Sequence, residues 1–286
     1  MNMPVQFSVP GPLVAIGGAE DKTSGSDILK KVLLLSKKEA PVVGVITTAS
    51  SIPDDVFSGY DSAFARLGAG EVLDIRIRER ADAAASEILE MIERSEVIFI
   101  SGGDQMRLTN ILGASPALER IRALHLEGAV VAGTSAGAAC QSQTMVYGGP
   151  ADDSLRKGAV KMAAGFGLVQ NVIIDTHFLE RGRFSRLMEV GATNPEYLGV
   201  GLGENAAVIF EGGHISVFGP GHVVVVDSSG ITSSNVFDLA DGEAVSVHNV
   251  IMHALVEGEG YSLTDRQVLG PKELRAKTLE HRIEYT

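Results

Sequence analysis

Gly128-Ala129-Val130-Val131-Ala132-Gly133-Thr134-Ser135-Ala136-Gly137-Ala138-Ala139 runs from an apolar, β-type stretch through a glycine-bracketed serine into helix-forming small residues. Its middle is G-x-S-x-G between a predicted strand and a predicted helix, the setting in which that motif makes a nucleophile elbow. Neighbours without bulk let the backbone turn sharply. The turn strains its middle residue and stands the Ser135 hydroxyl at the end of a sheet, over a helix N-terminus. The competing reading is a tight turn in which Ser135 only caps the helix, because a sequence with 33 glycines also produces this pattern by chance.

Working outward, Leu13-Val14-Ala15-Ile16 ends in Gly17-Gly18 and reads as a buried strand that turns sharply. Val42 to Thr48 is β-branched and nearly continuous, as a strand buried on both faces should be, and Glu71 to Ile77 and Val97 to Ile100 read as further strands. Helical spacing falls between them at 26–35, with Ser26 and Asp27 placed to cap it, then at 54–67, 83–92 and 116–126, where Pro116 sits in the first turn. This alternation predicts an α/β fold of three layers, with a mostly parallel central sheet, right-handed crossovers and helices on both faces. After about residue 195 four apolar runs follow, with Glu211-Gly212-Gly213 and Gly219-Pro220-Gly221 as turns between them. They predict C-terminal antiparallel β hairpins. With no repeat or linker, residues 1–286 read as one domain, with 1–10 a lead-in and 264–286 a charged tail that either docks or frays.

A protein of 286 residues can bury a large core, and a formal net charge of −12 argues against nucleic acid as a partner. The lone Cys140 excludes an internal disulfide, fits a reducing compartment and reads as a buried thiol. No basic leader precedes an apolar run, and no stretch approaches the ~18 apolar residues of a membrane span, so a cytoplasmic location is the expectation. Scattered histidines and the absence of an H-x-x-x-H pattern predict no metal site. Gly17-Gly18-Ala19-Glu20-Asp21 lacks the spacing of a dinucleotide fingerprint.

Ligands of open α/β sheets bind at the carboxyl ends of the strands, which directs the search for partners of Ser135. After the 97–100 strand comes Ser101-Gly102-Gly103-Asp104-Gln105, where the Gly103 N–H could join the Ala136 N–H as an oxyanion hole. The bland alternative is a glycine turn with Asp104 capping the next helix. After Val172-Ile173-Ile174 comes Asp175-Thr176-His177, on a strand that could lie beside that of Ser135, and His177 is the candidate base. His222, at a hairpin, is the weaker histidine. Arg181, Arg183 and Arg186 are either a solvated helix face or, in so acidic a protein, a grip for carboxylates. Two carboxylates qualify to orient His177: Glu204, after a strand end, and Asp153, in a loop between the serine and the histidine.

In order of sequence, Ile16-Gly17-Gly18-Ala19-Glu20, Ser101-Gly102-Gly103-Asp104-Gln105, Gly133 to Ala138, Asp175-Thr176-His177-Phe178 with its three arginines, and Gly203-Glu204-Asn205 resemble the cyanophycinases. These are serine exopeptidases of the dipeptidase E-like clan, on a fold similar to class I glutamine amidotransferases. The resemblance spans residues 13 to about 255. It implies hydrolysis of cyanophycin, a poly-aspartate backbone with arginine on each β-carboxyl, to β-Asp-Arg dipeptides by a homodimer without a cofactor. It also implies Ser135 as nucleophile and His177 as base, with Gln105, Asp175, Thr176, Arg181, Arg183 and Arg186 around the substrate. Thr176 stands where the family commonly has Gln. An aspartyl or isoaspartyl dipeptidase on the same scaffold, or a non-catalytic binder of the polymer, are the alternatives. Glutamine amidotransferase chemistry needs Cys at the elbow, where this sequence has Ser135.

Overall fold

The computed structural model describes residues 10–25, 27–150 and 155–283. Strand and helix alternate first: β1 (Leu13–Ile16), α1 (Asp27–Leu35), β2 (Val42–Ile46), α2 (Pro53–Leu67), β3 (Glu71–Ile75), α3 (Ser86–Glu93) and β4 (Val97–Ile100). Then come α4 (Gln105–Leu112), α5 (Pro116–Leu126), β5 (Val130–Thr134), the short α6 (Ala136–Ala139) and the antiparallel pair β6 (Thr144–Gly148) and β7 (Lys161–Ala164). β8 (Val172–Thr176), α7 (Phe184–Thr193), β9 (Leu198–Leu202), β10 (Ala207–Glu211), β11 (His214–Phe218) and β12 (Val223–Asp227) follow. Short strands β13 (Ser233–Ser234), β14 (Val247–His248), β15 (Ile251–Leu255), β16 (Gly260–Ser262) and β17 (Gln267–Leu269) lead to α8 (Pro271–Ile283). The expected lead-in at 1–9 and the Ser26 cap lie outside the described residues.

The central sheet has nine strands in the order β17-β16-β11-β10-β1-β5-β4-β2-β3. β1 to β5 run parallel to their neighbours within that set, and the strands from β10 outward extend it antiparallel. Alternate residues of the parallel strands face opposite cores, as a period of two requires. Val14, Ile16, Val43, Val45, Val97 and Phe99 pack against α1 and α2. Leu13, Ala15, Ile98 and Ile100 face α3, α5 and a second sheet of order β15-β12-β9-β8. A ring cluster anchors α2: Tyr60 and Phe64 lie 4.6 and 5.3 Å from Phe99, centroid to centroid.

Two expectations need correction. β8, which ends at the histidine, does not lie beside β5. It pairs parallel with β9 in the four-stranded sheet. Of the anticipated hairpins, β10–β11 forms around Gly212-Gly213, but β11 and β12 do not pair. Gly219-Pro220-Gly221 instead crosses from one sheet to the other. A Cβ on Gly221 would sit 2.3 Å from the Glu204 carbonyl oxygen, so the crossing runs too close to the β9–β10 connection for any side chain there. The C-terminal segment is a helix over 271–283, and buried Leu274 packs against Gly260 of β16.

Candidate active site

The carboxyl end of β1 is the template on which the site is assembled. Three successive carbonyls there each receive an N–H from a different loop. Ile16 O accepts from Ser135 at 3.0 Å, Gly17 O from His177 at 2.9 Å and Gly18 O from Asn205 at 2.9 Å. The paired glycines are required by contact. A Cβ on Gly17 would lie 2.0 Å from the Gly203 carbonyl oxygen, and one on Gly18 2.4 Å from Cε1 of His177. Backbone strain gathers at the same place: Ala19, Ser135, His177 and Asn205 all have φ near +50° although none is glycine. Each such residue costs about 1–3 kcal/mol and persists only where its surroundings over-determine it.

Ser135 does not cap the helix it precedes, because its side chain makes no bond to the α6 backbone. Its Oγ lies 3.0 Å from Nε2 of His177, whose Nδ1 lies 2.8 Å from Oε1 of Glu204. A carboxylate only accepts, so Nδ1 carries the proton, and Nε2 is left as acceptor for the Ser135 hydroxyl. The histidine side chain is 14% exposed and the Glu204 side chain 40%. Of the two carboxylates open for this role, Glu204 lies at the imidazole, and Asp153 lies outside the described residues. His222 accepts at its carbonyl from the Gly203 N–H. Substituting Gly18→Ala should push the imidazole out of line. We expect kcat to fall about 10²-fold, the usual cost of a misplacement near 1 Å, measurable beside an unfolding curve that stays cooperative.

Gly102 is packed against the serine, where an added Cβ would lie 3.1 Å from Cβ of Ser135. Gly103 has φ +144° and passes so near Ala49 that a Cβ would lie 2.1 Å from its carbonyl oxygen. Asp104 does cap α4, accepting from the N–H groups of Met106 at 2.8 Å and Arg107 at 3.1 Å. Gln105 opens that helix with its amide near the carbonyls of Val146 and Tyr147, at 3.4 and 3.5 Å. Ala136 is buried directly after the serine, and Cys140 is buried too, which pushes its thiol well above the ordinary range.

The arginines divide. Arg181 is exposed, but Arg183 and Arg186 turn inward onto Asp175, at 3.1 and 3.2 Å, and Asp175 and Arg186 are each 3% exposed. Burial raises the Asp175 carboxyl against the pull of both guanidiniums, and lowers Arg183 and Arg186. Thr176 is buried beside them. Arg183 also donates to the Thr176 carbonyl at 2.7 Å, so this cluster braces the backbone that presents His177. Asp175→Asn should leave Arg186 buried opposite a neutral amide and cost about 3–5 kcal/mol, read as a lower urea midpoint.

A cavity of 360 Å³ opens beside Ser135 and His177, lined also by Glu20, Lys22, Asp55, Tyr60 and Gly102. Of these, Glu20 closes the Ile16-Gly17-Gly18-Ala19-Glu20 motif of the sequence, whereas Lys22 and Tyr60 belong to none of its motifs. A larger concavity of 670 Å³, between α1, β11 and α8, holds none of the residues named above as site candidates. Among the described residues, no group of three or more His, Cys, Asp or Glu converges as metal ligands would, and no helix is long and apolar enough to cross a membrane.

Residues 13–218 match the family described as Peptidase family S51. The sequence is 36% identical over 260 residues to a cyanophycinase of Synechococcus elongatus, covering 90% of this protein and 81% of that one. It is 36% identical over 259 residues to a cyanophycinase of Nostoc sp., covering 90% and 87%. Among solved structures, a peptidase from an acI-B1 Actinobacterium superposes with a TM-score of 0.68 at 23% identity, over 91% of this protein and all 100% of that one, a likeness of fold.

Proposed function

The chain belongs to peptidase family S51, and from that premise we propose that it is a serine exopeptidase that degrades cyanophycin to β-Asp-Arg dipeptides. The observation that carries the reading is the unbroken run from Ser135 through His177 to Glu204, at 3.0 and 2.8 Å. Ser135 Oγ attacks a backbone aspartyl carbonyl as His177 Nε2 takes its proton. Glu204 holds the imidazole in the required tautomer and stabilises the imidazolium that forms. The N–H groups of Gly103 and Ala136 receive the oxyanion. His177 then returns the proton to the leaving amine, and water, deprotonated by the same imidazole, releases the acyl group from Ser135.

Gln105 and exposed Arg181 are the substrate contacts in this reading, while Asp175, Thr176, Arg183 and Arg186 act behind them, since Asp175, Thr176 and Arg186 are buried. We further read the protein as one domain working as a cytoplasmic homodimer, on the strength of the family resemblance and of a lone, buried cysteine. The test is digestion of purified cyanophycin with mass spectrometry of the products, beside short Asp-X peptides. Release of β-Asp-Arg in preference to cleavage of the short peptides is expected. Cleavage of the short peptides alone would reassign the enzyme to the aspartyl dipeptidases.

A further inference from the structure

Arg181, Arg183 and Arg186 do not line the cavity beside Ser135. The cation that does is Lys22. Its loop is fixed on both sides. Asp21 accepts from the N–H groups of Thr23 at 2.7 Å and Gly25 at 2.8 Å, and Arg66 donates to the Lys22 carbonyl at 2.6 Å. The ammonium stands 4.7 Å from the centre of the Tyr60 ring and 3.3 Å from Oε1 of Glu20. Glu20 is 3% exposed and its oxygens are already engaged: the Tyr60 hydroxyl donates to Oε1, and the Thr134 hydroxyl to Oε2 at 2.6 Å. Glu20 therefore anchors Lys22 without saturating it. An ammonium has three protons to give, and this one, on a side chain 34% exposed, keeps donors for the cavity. Thr134 immediately precedes the nucleophile, so the same buried carboxylate ties the cation to the elbow.

We propose that Lys22 is a specificity-determining residue: it receives a carboxylate of the substrate in the cavity beside Ser135. This assignment rests on the proposed function, in which the substrate offers two sources. One is the terminal backbone carboxylate of the aspartyl polymer, whose capture would make the enzyme act from that end. The other is the α-carboxylate of a side-chain arginine.

The experiment compares wild type and Lys22→Met on three synthetic oligomers of β-Asp-Arg: the free acid, the amide of the terminal backbone carboxylate and the argininamide derivative. Wild type should cleave the free acid best and lose on the order of 10–100-fold in kcat/KM on one of the amides, as expected for a lost charge-assisted bond. The amide that suffers identifies the carboxylate. Lys22→Met should lose a similar factor on the free acid and no longer discriminate against that amide, and Lys22→Arg should restore the discrimination. If Lys22→Met discriminates as strongly as wild type, or wild type discriminates against neither amide, the assignment is wrong while the peptidase reading stands. If wild type cleaves none of the three, the peptidase reading fails and takes the assignment with it.

Discussion

Ser135→Ala should lower turnover of cyanophycin by on the order of 10⁶-fold, with the fold and the affinity for polymer retained. The size follows from how little else could replace the hydroxyl. The residue that follows β5 is fixed to Ile16 O, and its φ of +50° aims one side chain at Nε2 of His177. Alanine accepts the same backbone at similar strain, so the loss is chemical and not structural. What remains is the oxyanion donors and substrate positioning, worth about 10³–10⁴ over the uncatalysed reaction in comparable triads. Single-turnover assays by mass spectrometry reach that depth. Release of dipeptide by Ser135→Ala within tenfold of wild type would remove the serine from the mechanism.

Glu204→Gln should cost on the order of 10³–10⁴ in kcat and leave KM nearly unchanged. Glu204 touches His177 Nδ1 at 2.8 Å, and in the proposed mechanism it meets the imidazole alone, not the substrate. A glutamine of the same length can still accept from Nδ1–H, but it is neutral and can also present its amide protons, which favours the wrong tautomer. In that mechanism the charge it removes is the one that steadies the imidazolium at the moment of attack. Because the Glu204 side chain is 40% exposed, water screens part of that interaction, which puts the expected loss toward the lower end for a buried triad carboxylate. A fall in kcat below tenfold would assign Glu204 to structure only, and a matching rise in KM would make it a substrate contact.

Much of this site is legible in the sequence, and the division is physical. The Ser135 elbow and the β1 to β5 alternation are local signals, written in glycine spacing and apolar period. The histidine stood out because it ends an apolar strand. Its sheet did not, because β8 pairs with β9 by contacts that no local pattern encodes. The choice between Glu204 and Asp153 stayed open for a similar reason: what brings Glu204 to the imidazole is the bond from the neighbouring Asn205 N–H to Gly18 O, two residues far apart in the sequence. Arg183 and Arg186 look like a surface grip in the sequence, and only the burial of Asp175 shows why they turn inward. Lys22 lies outside every motif, and only the fold brings it to Glu20 and to the Tyr60 ring.

The most direct test of the Ser135–His177 pair is to treat the protein with a serine-reactive fluorophosphonate and map the adduct by peptide mass spectrometry. One adduct is predicted, on Ser135, suppressed by prior addition of cyanophycin and lost in His177→Ala. An unlabelled Ser135 in protein that still releases β-Asp-Arg, or an adduct that forms equally well without His177, would contradict the proposed mechanism.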